Sequence, residues 1–66
     1  MEITVNGETK RAEDDATVRG LLESLDVPAE NAVVSLNGEV LPLEELDARR
    51  LSEGDSVELF AFVGGG

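Results

Sequence analysis

Residues 59–66, LFAFVGGG, place three glycines behind an apolar run. The chemistry open to this stretch belongs to one group, the α-carboxylate of Gly66. Glycines lack a Cβ, so Gly64 and Gly65 can be drawn, extended, through a channel too narrow for side chains. They would carry the carboxylate of Gly66 beyond the folded body. A free carboxylate is a poor electrophile. Converted by an ATP-using partner into an acyl-adenylate, it gains AMP as a leaving group and opens to a sulfur or nitrogen nucleophile. The chain has no P-loop and no basic cluster beyond Arg49-Arg50 with which to bind ATP itself. It is therefore expected to be a co-substrate acted on by partner enzymes, with no cofactor bound and ATP used by the activating partner. A frayed end also looks like a glycine run, so the weight of this stretch depends on what precedes it.

Other chemistries have little to work with. There is no Cys and no His among the 66 residues, which removes thiol nucleophiles, thiolate metal sites and the commonest general base. Glu13-Asp14-Asp15 puts three carboxylates in a row, without the spaced ligands of a calcium loop; a solvated loop is expected and no metal. Paired carboxylates for acid–base catalysis need a cleft that so small a domain hardly offers. The formal net charge is −10, from 15 acidic and five basic residues, so phosphate backbones are repelled and nucleic acid is not an expected partner. A basic partner would be steered in; solubility or a saline host would account for the acidity equally well. The polar start MEITVNGETK and the lack of a long apolar run point to a cytoplasmic protein without a membrane segment.

These end-group expectations need a scaffold, and the pattern supplies one. EITVNGETKRA alternates Ile3 and Val5 with polar neighbours up to Asn6-Gly7, a type I′ hairpin signal. Strands are predicted at 2–6 and 8–12. Thr17 can cap a helix whose stripe is Val18, Leu21, Leu22 and Leu25. Asp14 and Asp15 precede it, where the helix dipole favours negative charge. Gly20 costs that helix up to about 1 kcal/mol against Ala, a cost that close packing would explain. Pro28 closes the segment. Asn37-Gly38 repeats the hairpin signal between strands at 32–36 and 39–41, the latter an edge strand ending at Pro42. LEELDARR suits one or two helical turns with Leu43 and Leu46 facing inward, while Glu44, Glu45 and Asp47 form a solvated face. Leu51 is a core plug, residues 53–55 are a turn, and 56–63 form the last and most apolar strand. One helix over five strands, with that strand central and parallel to the first, is an α+β layer.

Alternation divides the last strand. Val57, Leu59, Ala61 and Val63 share the face that suits the core; Ser56, Glu58, Phe60 and Phe62 share the other. The two aromatics of the chain would then stand exposed. Phe60, Phe62 and Val63 are the candidate partner-binding patch.

ITVNGE at the start, LNGEVLP in the middle and LSEGDSVELFAFVGGG at the end resemble the ThiS/MoaD-like family of ubiquitin-like sulfur carriers, most closely its thiamine-biosynthesis branch. The resemblance covers essentially the whole chain. It implies a β-grasp domain over residues 1–63 and a flexible tail at 64–66. It further implies that an E1-like, ThiF-type adenylyltransferase activates Gly66 and that a cysteine desulfurase relay supplies sulfur. The resulting thiocarboxylate would then serve a ThiG-type thiazole synthase. Gly65-Gly66 match the family's terminal pair, with Gly64 an additional glycine. Phe60 falls where related folds present an apolar patch to the activating enzyme, whereas Ser35 on the neighbouring strand is polar where ubiquitin is apolar. Other readings are the small subunit of molybdopterin synthase, a protein modifier conjugated through Gly66, and an acidic interaction module with an inert tail.

Overall fold

The computed structural model describes residues 1–61; Phe62, Val63 and the three terminal glycines lie outside the described residues, and with them the expected domain boundary. Strands β1 (Glu2–Val5), β2 (Glu8–Arg11), β3 (Ala32–Leu36), β4 (Glu39–Leu41) and β5 (Ser56–Ala61) build one sheet in the order β2-β1-β5-β3-β4. β5 is central, parallel to β1 and antiparallel to β3. This is the expected β-grasp arrangement of a mixed five-stranded sheet with one helix, α1 (Val18–Ser24).

Both hairpins turn on Asn-Gly. Asn6 and Asn37 have φ of 51° and 52°, and Gly7 and Gly38 have φ of 86° and 88°, as a type I′ turn requires. A two-residue loop fixes the register, so Val5 faces Glu8 and Leu36 faces Glu39.

The start of α1 is fully bonded. Thr17 Oγ1 accepts the Gly20 N–H at 3.1 Å. The N–H groups of Val18 and Arg19 donate to the carbonyls of Arg49 (3.0 Å) and Leu46 (3.1 Å). Segment 46–51 thus satisfies donors that a helix leaves open, and neither Asp14 nor Asp15 accepts a helix N–H. At the other end Val27 N–H bonds to Leu22 C=O (2.9 Å) and Asp26 N–H to Glu23 C=O (3.1 Å). This is a Schellman closure with Asp26, at φ 60°, in the position glycine usually takes. The helix ends here, two residues before Pro28.

The core joins Ile3, Val5, Val34, Leu36, Leu41 and Val57 of the sheet to Val18, Leu21 and Leu22 of α1, with Ala29, Leu46 and Leu51 closing the sides. Three expectations need correction. Leu43 is 49% exposed, whereas Leu46 is 2% exposed. The short second helix is a 3₁₀ turn, Leu43–Glu45, entered from extended Pro42 at the sheet edge; the chain comes back over α1 only at Leu46. Ala61, expected in the core, is exposed: seven helical residues span only about 10 Å and cannot cover a six-residue strand. Close packing at Gly20 is also absent. A Cβ there would meet only Thr17 Oγ1, at 3.4 Å. A further 3₁₀ turn, Ala29–Asn31, follows Pro28.

Candidate functional site

The candidate site is the uncovered face of the sheet around the end of β5. Alternation places Val57 and Leu59 toward α1 and Phe60 outward, 63% exposed. Antiparallel pairing with β3 sets Phe60 opposite Val33, which is 38% exposed, and Glu58 opposite Ser35. On the far side Ser35 faces Val40, 65% exposed. Val40 is thus diagonal to Val33, within the reach of cross-strand neighbours.

The described patch is therefore Phe60 and Val33, extended to Val40 and interrupted by half-buried Ser35 and the carboxylate of Glu58. Phe60 stands where it was expected. Phe62, Val63 and the tail residues Gly64, Gly65 and Gly66 lie outside the described residues. Val33 and Val40 were missed, although the signal was present. Of the adjacent pair Val33-Val34 only one can face the core, and the two-residue turn at Asn37-Gly38 dictates that Val40 lies opposite Ser35.

Sequence reasoning also missed a second function of the turn asparagines. Asn6 donates its backbone N–H to Val57 C=O at 2.8 Å. Its side chain then bonds both backbone groups of Leu59: Oδ1 accepts the N–H at 2.8 Å and Nδ2 donates to the C=O at 3.1 Å. Asn37 exchanges a pair of bonds with Ser56, its N–H donating at 2.8 Å and its Oδ1 accepting at 2.9 Å. Its Nδ2 donates to Asp55 Oδ1 at 3.0 Å, and Asp55 Oδ2 accepts the Ser52 N–H at 2.7 Å.

Two arginines are engaged by carboxylates of neighbouring segments. Arg19 pairs with Asp47, and Arg49 with Glu45 (3.3 Å) and Glu39 (3.7 Å). Glu45 and Asp47 are exposed, as expected of a solvated face, and Asp47 with Arg49 also links segment 46–51 to α1 and β4. No group of metal-ligating side chains occurs among the described residues. No described helix is long and apolar enough to cross a membrane. An open groove of about 450 Å³, lined in part by Arg11, Ala12, Asp14, Ala16, Leu21 and Ser24, lies against α1, and no described residue of β5 lines it. What the arrangement offers is a display surface rather than a reaction cavity: an apolar strip beside the end of the strand that leads to the glycine run.

Known proteins resemble this chain in sequence and in fold. The chain is 30% identical to the sulfur carrier protein ThiS of Escherichia coli, over the full length of both. It is 33% identical over 66 residues to a thiazole synthase of Paramagnetospirillum magneticum, and it spans only 20% of that longer chain. A crystal structure of the thiamine biosynthesis protein ThiS from Geobacter metallireducens superposes with a TM-score of 0.83, at 43% identity and with both chains fully covered. Family comparison matches residues 2–66. Across the sheet and the glycine run alike, this chain belongs to the ThiS family.

Proposed function

We propose that the chain is a sulfur carrier for synthesis of the thiazole ring of thiamine. It acts as a co-substrate, and its reacting group is the α-carboxylate of Gly66. A ThiF-type adenylyltransferase uses ATP to form the acyl-adenylate, the terminal sulfur of a persulfide from a cysteine desulfurase relay displaces AMP, and a thiol reductant cleaves the resulting acyl disulfide. The thiocarboxylate so formed is ionised at neutral pH and nucleophilic at sulfur, so it carries sulfide without releasing it. A ThiG-type thiazole synthase then accepts the sulfur. Gly64 and Gly65 thread the tail, and Phe60, with Phe62 and Val63, docks on the activating enzyme.

The observation that carries this reading is the family match over residues 2–66, which takes in the glycine run as well as the folded sheet. Likeness to one-fifth of a thiazole synthase chain supports that enzyme as the acceptor. Exposed Phe60 beside Val33 supplies a docking surface of the required kind. The test is the intact mass of the protein isolated during active thiamine synthesis, with a form lacking Gly66 as control. A species heavier by the difference between sulfur and oxygen, absent from the control, is expected. Lysine-linked conjugates in its place, or neither species, would overturn the reading.

A further inference from the structure

β1 stops pairing with β5 at Val5, opposite Val57. Beyond that point the chain turns away through Asn6 and Gly7, so Leu59 has no strand partner on the β1 side. Its N–H and C=O are met instead by the Asn6 side chain, at 2.8 and 3.1 Å. An amide side chain reproduces the donor and acceptor of a peptide group, so Asn6 stands in for the missing strand residue. Leu59 immediately precedes Phe60. On its other side Leu59 is paired with Val34.

We infer that Asn6 is a positioning residue for the carrier reaction: by gripping Leu59 from across the turn, it fixes the described end of β5 and with it the placement of Phe60. The inference rests on the carrier reading. Without the grip Leu59 has no partner on the β1 side, and residues 59–61 are held by β3 alone, leaving a looser strand end whose ordering must be completed at docking. Ordering lost before the encounter must be regained within the complex, which weakens ground-state and transition-state binding alike. The signature is a raised KM for the carrier with kcat preserved. Asn37 supplies the comparison, because its bonds hold Ser56, at the opposite end of β5.

The test compares Asn6→Gly, Asn6→Asp and Asn37→Gly with the unaltered chain as substrates for adenylation by the ThiF-type enzyme. Glycine keeps the positive φ at either turn and removes only the side chain. Two lost hydrogen bonds predict a KM about tenfold higher for Asn6→Gly, with kcat within about twofold. Asn6→Asp keeps the acceptor for Leu59 N–H but loses the donor, so its KM should lie between the two. Asn37→Gly should leave KM within about twofold, since it loosens the far end. Amide hydrogen exchange on the same proteins should be faster at Leu59 in Asn6→Gly and unchanged at Ile3 and Val34, separating local release from lost folding. Unchanged KM in Asn6→Gly, or an equal rise in Asn37→Gly, overturns the inference while the carrier reading stands. If the unaltered chain is not adenylated at all, the carrier reading falls first and takes the inference with it.

Discussion

The two hairpins share the same turn, Asn-Gly with both residues at positive φ, yet they hold β5 in different ways. In the second hairpin Asn37 lies directly opposite Ser56, so its own backbone N–H and its side-chain oxygen complete a pair of ladder bonds at the start of the strand. In the first, Asn6 has already spent its N–H on Val57, and its side chain reaches two residues further to Leu59. The difference follows from strand direction. β3 runs antiparallel to β5, so its turn lies beside the start of β5, whereas β1 runs parallel to β5 and its turn lies toward the strand's far end. One turn motif has become a start clamp in one place and an end clamp in the other.

The largest expected effects test whether the hairpins share one cooperative core. Ile3→Ala in β1 and Leu36→Ala in β3 remove buried side chains on opposite sides of β5, and each should cost about 3 kcal/mol. Urea unfolding should keep one transition with an unchanged m-value in both variants. A second transition in Ile3→Ala would show that β3, β4 and β5 stand without the first hairpin, and the comparison would then be between unequal parts.

Next come Asn6→Ala and Asn37→Ala. Each loses its bonds to β5 and puts alanine, which tolerates the left-handed region less well than asparagine, at a positive φ, for about 2 kcal/mol apiece. The two clamps share no partner, so the double variant should equal the sum within about 0.5 kcal/mol. A larger coupling, measured by the same unfolding experiment, would mean that strain at one end of β5 reaches the other.

Asp26→Gly acts outside both hairpins. It relieves a non-glycine residue at φ 60° and should stabilise by about 0.5–1 kcal/mol, visible as a higher Tm with hairpin-specific hydrogen exchange unaltered. The smallest effect is expected for Phe60→Ser. Its ring is mostly exposed, so stability should change by less than about 0.5 kcal/mol while docking to the activating enzyme is lost. A large fall in Tm would reassign the ring to the fold.

Local periodicity made much of this legible. The Asn-Gly pairs, the stripe Val18-Leu21-Leu22 and the alternation in β5 each reflect geometry within a few residues, and they place the central strand and the outward Phe60. What escaped depends on distant parts of the chain. Nothing near Asn6 announces that its amide will serve Leu59, 53 residues away. Leu43 follows a sound helical spacing, but burial was decided by where Pro42 leaves the sheet. Asp26 conceals a helix end that a glycine would have announced.

The strand placed in the middle is also the last of the five in chain order. Either hairpin can close locally in about 1–10 μs, but an isolated hairpin is marginal in water. The core between them requires β5, so a chain still lacking that strand has two unjoined halves. Phe60 comes to lie against Val33 only once β5 has docked on β3, so the apolar pair exists on the folded sheet and nowhere in its separate hairpins.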